Sequence, residues 1–259
     1  MLFYGSPNTI RVQKSLFNRH IQPICSRDRL NDLTNEDVIN MVIRWEEIPL
    51  SSNTIRSLLA LLRRYYKIET KKVLPEDIPI RLLPTDSKPK ALNKDQVRRL
   101  LKDIKNNENH NVYLACMLAY HAGLRKGEVF GLKWNSIDFA RGELIITNSY
   151  DGPTKSRKPR KVPMSTILQL LLLEESMVSG DNAKVIRPFN PGPILQKACK
   201  RAIIPRITFH AFRHTFATLA LDSGKSVKEV QEMLGHSKAS TTIDIYWNNI
   251  KSDMKVDFT

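Results

Sequence analysis

Four prolines, Pro75, Pro79, Pro84 and Pro89, crowd one short stretch of the chain, and the neighbouring piece PTDSKPKALN is short of large apolar residues. Each proline removes a backbone donor, fixes its own φ and pushes the preceding residue out of the helical region, so no helix or central strand runs through this stretch. The stretch therefore reads as a linker between two domains. We read a helical domain over residues 1–83, a linker over 84–91 and a second domain over 92–259. With 259 residues, 41% of them apolar, there is enough material for two cores.

Before the prolines the pattern is helical. Thr34 followed by Asp37 has the spacing of a capping box, and Val38, Met41, Val42 and Trp45 fall on one helical face. A second helix is placed with Ser52 as its cap. Its Ile55, Leu58, Leu59 and Leu62 recur at threes and fours, and Arg56, Arg63, Arg64 and Lys67 occupy other faces.

After the prolines, Asn93 with Gln96 opens a helix carrying Val97, Leu100, Leu101 and Ile104, and NHNVYLACMLAYHAG reads as a buried helix stopped at Gly123. The period then shortens to two. Ile137 to Phe139, Glu143 to Thr147 and Lys161 to Met164, separated by turn residues, predict a three-stranded antiparallel sheet. Helices resume over 165–177, 194–202, 209–222, 226–234 and 240–247, and Ser226 with Glu229 marks the best-defined start among them. The fold class is mainly α with a small antiparallel β-sheet.

Charge narrows the function. Lys and Arg number 41 against 26 Asp and Glu, a formal charge of +15, and the commonest partner of so basic a globular protein is nucleic acid. An anionic membrane surface and simple solubility are the alternatives; a transmembrane helix is not, since the longest apolar run, Ile167 to Leu173 with Gln169 inside it, is far too short to span a bilayer. The opening MLFYGSPNTIRVQK has no continuous apolar core, so no signal peptide is expected. Cys25, Cys116 and Cys199 stand far apart, with no C-x-x-C pair, which fits reduced core thiols in a cytoplasmic protein. GxxxxGK[ST] is absent from the chain, so no nucleotide triphosphate is implied.

Several segments could carry chemistry. In TFHAFRHTFATLALDSG, at about 100° per residue, Phe209, Phe212, Phe216, Leu219 and Ala220 gather on one side. His210, Arg213, His214 and Ala217 gather on the other. Two imidazoles and a guanidinium opposite an apolar face read as the lining of a site, or else as a surface edge with a satisfied core histidine. Zinc is set aside, because Ala-Phe-Arg between the histidines lacks the zincin glutamate and places a cation in the ligand set.

In GLRKGEVFGLKW, Gly123 breaks a helix, Arg125 sits in the turn and Glu128 falls in the next first turn, where a carboxylate can orient a guanidinium. TKSRKPRKVPM is a basic hairpin tip, and its Lys155, Arg157, Lys158, Arg160 and Lys161 are expected to touch phosphate backbone. LGHSKASTTIDIYW places His236 beyond a helix end and Tyr246 on a following helix. Taken alone, Ser226 to Tyr246 also fits a helix-turn-helix regulator.

Together these segments resemble the tyrosine recombinases, or lambda integrase family. GLRKGE resembles the first arginine motif, TKSRKPRKVPM the β-hairpin lysine motif, HAFRHTFAT the His-x-x-Arg-His box, LGHS the second histidine motif and TTIDIY the tyrosine motif, in the family's order. The resemblance covers residues 91 to 250 and is loose before them. It implies an active site of Arg125, Lys155, His210, Arg213 and His236 with Tyr246 as nucleophile. It also implies a C-shaped clamp of a core-binding and a catalytic domain, and strand exchange without ATP or metal. The implied partners are double-stranded DNA with a specific site and a homotetramer on that DNA, with accessory DNA-bending proteins compatible.

The chemistry agrees with these roles. Two guanidiniums can fork onto the non-bridging oxygens as negative charge builds on them. The histidines can donate to the same oxygens, and a lysine can protonate the departing 5′ oxygen. A phosphotyrosine keeps the energy of the broken bond for rejoining.

Beyond the site, Arg56, Arg63, Arg64, Lys200 and Arg201, the last two within an acid-free stretch from Lys184 to Arg206, are expected to bind phosphate backbone. A type IB topoisomerase-like enzyme would share the chemistry without needing a defined site. Two features depart from the family pattern. Trp247 follows the tyrosine, with a short tail after it, and helical signals that begin near Asn8 are expected to leave no room for an arm-binding domain.

Overall fold

The structure is a computed structural model, and it describes residues 2–25, 32–74, 91–150, 152–153, 159–178, 183–236 and 243. Contacts divide the chain into two units, Met1–Lys88 and Pro89–Thr259. Apart from Ala91, the expected linker 84–91 lies outside the described residues.

The first unit is helical. Helix α1 (Pro7–Leu16) starts at Ser6, whose side chain accepts from the Thr9 amide, with a proline at the first helical position; it ends in a π-helical turn, Phe17–Ile21. Helices α2 (Asn35–Glu47) and α3 (Ser52–Thr70) follow. Thr34 and Asp37 form the reciprocal box, at 2.9 and 3.2 Å. The cap of α3 is Ser51 rather than Ser52, because it is Ser51 whose hydroxyl reaches the Thr54 amide, at 3.2 Å. The core gathers Ile21, Trp45, Leu58 and Leu62, and the Trp45 indole donates to the His20 carbonyl at 3.1 Å. The apolar stripe of α3 is wider than its four-residue pattern, since Leu61, Tyr65 and Tyr66 are buried too.

The second unit opens with Leu92, whose amide donates to the buried Thr215 hydroxyl at 2.9 Å. Helices α4 (Lys94–Asn107), α5 (His110–His121) and α6 (Lys126–Gly131) come next. A three-residue 3₁₀ turn then leads into strands β1 (Ile137–Asp138), β2 (Glu143–Ile146), β3 (Asn148–Ser149), β4 (Gly152–Pro153) and β5 (Arg160–Pro163). The sheet is antiparallel in the order β1-β2-β5, with Leu144 opposite both Ile137 and Val162, so the alternate residues Leu144, Ile146 and Val162 point into the core. A separate ribbon pairs β3 with β4, which the sequence pattern did not predict.

Helices α7 (Thr166–Val178), α8 (Pro191–Arg201), α9 (His210–Asp222) and α10 (Val227–Leu234) complete the unit. Helix α5 is apolar on all sides, as a helix enclosed by neighbours must be, and packs against α4, α6, α7 and α9. Cys25, Cys116 and Cys199 are buried free thiols, and burial raises the pKa of each. Among the described residues no helix is long and apolar enough to cross a membrane.

Candidate active site

The site is built where α5, α6, α9 and α10 meet. Helix α5 ends at Gly123, in the left-handed region at φ 61°. A Cβ there would lie 2.5 Å from the Phe216 ring and 2.7 Å from Leu234, so only glycine lets α9 and α10 close over this turn. The turn delivers Arg125 to the N-terminal cap of α6, where its amide donates to the Glu128 carboxylate at 2.8 Å. On α9, Arg213 lies one turn beyond His210 and is almost completely buried. Helix α10 begins with the Ser226–Glu229 box and ends at Gly235, left-handed at φ 65°, which sets the direction of His236.

Three arginines from three elements converge on the end of α10. Arg160 Nε of β5 donates to the Met233 carbonyl at 2.7 Å, and Arg213 Nη2 to that of Leu234 at 2.7 Å. Arg125 reaches Leu234 at 3.3 Å through Nη1 and Gly235 at 3.0 Å through Nη2. The carbonyls at a helix C-terminus lack intrahelical partners and carry partial negative charge, so cations are favoured there. Arg213 Nη1 also donates to the Gly123 carbonyl at 2.7 Å, tying the α5 turn to the same cluster.

One carboxylate serves all three. Glu128, 2% exposed, accepts from Arg125 Nη1 at 2.9 Å and takes Arg160 as a two-pronged fork at 2.9 and 2.7 Å, while Arg213 Nη1 stands 3.9 Å away. Burial would raise its pKa, but the hydrogen bonds and charges of Arg160, and after them Arg125, outweigh that and hold it at about 2. Burial, and then the Arg125 charge, lower Arg213 to about 9, so it remains a cation at neutral pH. Three cations beside one anion leave a net positive site whose natural complement is an anion.

Two of the histidines, His236 and His214, are neutral at pH 7. His236 is depressed to about 3 by burial and by Arg213 and Arg125, and His214 to about 4 by burial and by His210 and Arg213. His210 is exposed, its ring edge-to-face with His214 at 4.6 Å between centroids. His214 itself is buried and its Nδ1 has no hydrogen-bond partner. Neutral imidazoles each keep one N–H to donate to an entering oxygen. Among the described residues no three His, Cys, Asp or Glu side chains gather into a metal-ligating group.

Of the residues singled out in the sequence, Arg125, His210, Arg213 and His236 come together here. Lys155, Arg157, Lys158 and Tyr246 lie outside the described residues. Glu128 does orient Arg125, but its stronger tie is to Arg160, a link that sequence reading did not contain. Arg160 is no surface phosphate contact: its side chain is 7% exposed and committed to Glu128 and Met233. Lys161 is exposed and pairs with Glu143 at 3.2 Å. Lys200 is exposed, whereas Arg201 forks onto Asp103 and reaches Glu108 at 2.6 Å. In the first unit Arg56 and Arg63 are exposed, and Arg64 donates to the Leu2 carbonyl with its guanidinium 4.0 Å from the Tyr4 ring centre.

Comparison with known proteins finds the phage integrase family matched over residues 90–252. The tyrosine recombinase XerA of Thermococcus onnurineus is 28% identical over 257 residues, covering 92% of this chain and 83% of the relative. The tyrosine recombinase XerC of Alcanivorax borkumensis is 30% identical over 261 residues, covering 92% and 82%. Among solved structures, the Tn1549 transposon integrase in complex with a circular intermediate DNA superposes with a TM-score of 0.73 at 22% identity, over 97% of this chain and 94% of that one. A lambda integrase tetramer bound to a Holliday junction gives a TM-score of 0.73 at 18% identity, over 93% and 72%. The last two likenesses concern the fold.

Proposed function

Because the chain belongs to the phage integrase family, we propose that it is a site-specific DNA recombinase that cuts and rejoins strands through a covalent 3′-phosphotyrosine. The observation that carries this reading is the buried cationic cluster. Arg125 and Arg213 share the Leu234 carbonyl beside the neutral His236, with one carboxylate for three guanidiniums. A helix-turn-helix regulator would leave that cluster without work.

In the proposed reaction Arg125 and Arg213 fork onto the non-bridging oxygens of one phosphodiester. His210 and His236 donate to the same oxygens, and His210 helps take up the phenolic proton. The Tyr246 oxygen attacks phosphorus and forms the tyrosyl ester as the bond to the 5′ oxygen breaks, and Lys155 gives that oxygen its proton. A 5′ hydroxyl from a second strand then attacks the ester, restores a phosphodiester and releases the tyrosine, so the count of high-energy bonds is unchanged and neither ATP nor metal is called for.

Residues 1–83 are proposed as the core-binding domain and 92–259 as the catalytic domain. A homotetramer would act on two duplexes, with accessory DNA-bending proteins where the site requires them.

The test is a denaturing gel of the protein mixed with nicked duplexes taken from the DNA flanking its coding sequence. Wild type should become linked to a strand through its 3′ phosphate, and Tyr246→Phe should not. No wild-type adduct, or an adduct that survives Tyr246→Phe, overturns the reading.

A further inference from the structure

We infer that Arg160 is a positioning residue, which neutralises Glu128 and so leaves the charge of Arg125 and Arg213 free for the phosphate. The inference rests on the proposed use of those two arginines and concerns how their charge is kept available.

The geometry around Glu128 carries it. Four donors engage the carboxylate: the Arg125 amide and Arg160 Nη2 on Oε2, Arg125 Nη1 and Arg160 Nη1 on Oε1. Arg160 supplies two of them in the fork that matches a carboxylate best. Its third donor, Nε, is fixed on the Met233 carbonyl, and Arg160 itself pairs across the sheet with Ile146. Thus one side chain holds a strand, the carboxylate and the end of α10 at a common spacing. Gly235 accommodates it, since a Cβ there would meet the Arg160 side chain at 3.0 Å.

Without Arg160 the buried carboxylate would have two vacated lone-pair directions and one remaining cation in contact, with Arg213 only 3.9 Å away. It would draw Arg125 Nη2 off the Gly235 carbonyl and Arg213 Nη1 off Gly123, turning both forks inward. Arg160 is the one cation of the cluster with every donor nitrogen committed inside the protein. A bidentate site of this kind is not reproduced by lysine, which offers a point charge without the fork.

The experiment compares wild type, Arg160→Met, Arg160→Lys, Glu128→Gln and the double variant Glu128→Gln/Arg160→Met in two assays. The first is binding of inorganic phosphate to the full chain, followed by ³¹P line broadening, which does not depend on strand cleavage. The second is the single-turnover rate of adduct formation on a nicked duplex.

Arg160→Met should raise the phosphate concentration at half effect about tenfold. It should slow the adduct about a hundredfold, as displaced catalytic groups do. Arg160→Lys should be nearly as slow. Removing the carboxylate charge as well should recover at least about tenfold of the rate, since the inward pull is gone.

A merely structural arginine predicts that the double variant is as slow as Arg160→Met or slower. That result, or wild-type phosphate binding in Arg160→Met, overturns the inference. A wild type that binds phosphate through Arg125 but forms no adduct would sink the recombinase reading alone. Should Arg160→Met fail to fold, the lysine and double variants decide the matter in the same assays.

Discussion

His214 and His236 show what a cationic site does to its neighbours. Unfolded, both imidazoles titrate near 6.5, while in the folded chain they take up a proton only near 4 and 3. Between those values the unfolded chain binds more protons, so stability is fully present above about 6.5 and is lost as pH falls. His121, also lowered by burial, acts in the same direction. The urea midpoint should therefore hold steady from pH 8 to 7 and drop between 6.5 and 5, with His214→Gln showing a shallower drop. Glu128 enters only below about 4.5, where protonation removes the partner of two arginines. A midpoint that stays level or rises down to pH 5 would refute this account of the histidines.

The elements were legible in the sequence to different depths. Helix starts written as Thr34–Asp37, Asn93–Gln96 and Ser226–Glu229 are local chemistry, and each forms its reciprocal box. The three main strands follow from alternation. The β3–β4 ribbon does not, because its residues, Asn148, Ser149, Gly152 and Pro153, carry no apolar and polar alternation. On α9 the sequence showed which face was polar but not which of its groups were buried. Arg213 and His214 are enclosed where α5 and α10 pack against this helix, while His210 on the same face stays exposed, and no periodicity distinguishes an enclosed polar group from a wet one.

In sequence Arg160 belongs to the acid-free tip TKSRKPRKVPM and so reads as a phosphate contact. The acid that claims it is Glu128, far upstream, and spacing along the chain cannot show that meeting. Gly123 is the reverse case, since a helix stop was visible but its tightness was not. Gly123→Ala should destabilise the second unit by about 2–4 kcal/mol, from positive φ plus overpacking against Phe216 and Leu234. Urea unfolding with an unchanged slope would measure it, and a cost under about 0.5 kcal/mol would show that α9 and α10 give way.

Across the whole molecule the +15 excess divides into charges committed to acidic partners and charges for which the described residues show none. Arg160 is committed to Glu128, and Arg201 to Asp103 and Glu108. Arg56 and Lys200 are exposed, and no acidic partner of either is recorded among the described residues. If phosphate contacts drive binding to duplex DNA, its affinity should fall steeply with salt, and Arg56→Ala or Lys200→Ala should each reduce the log–log slope by about 0.9. Arg201→Ala should change that slope less and lower the melting temperature instead. Fluorescence anisotropy over a salt series separates the outcomes, and equal slopes for all variants would remove the exposed residues from the interface.

The bonds that assemble the arginine cluster span long stretches of chain: Arg125 lies 110 positions from Gly235, Arg160 lies 73 from Met233, and Arg213, 21 from Leu234, also ties to Gly123 90 positions away. Helices form early because their contacts are local, whereas closures of this span come late. During refolding, far-ultraviolet dichroism should recover before the capacity to form an adduct. A chain still folding beside DNA thus has its helices long before it has a blade.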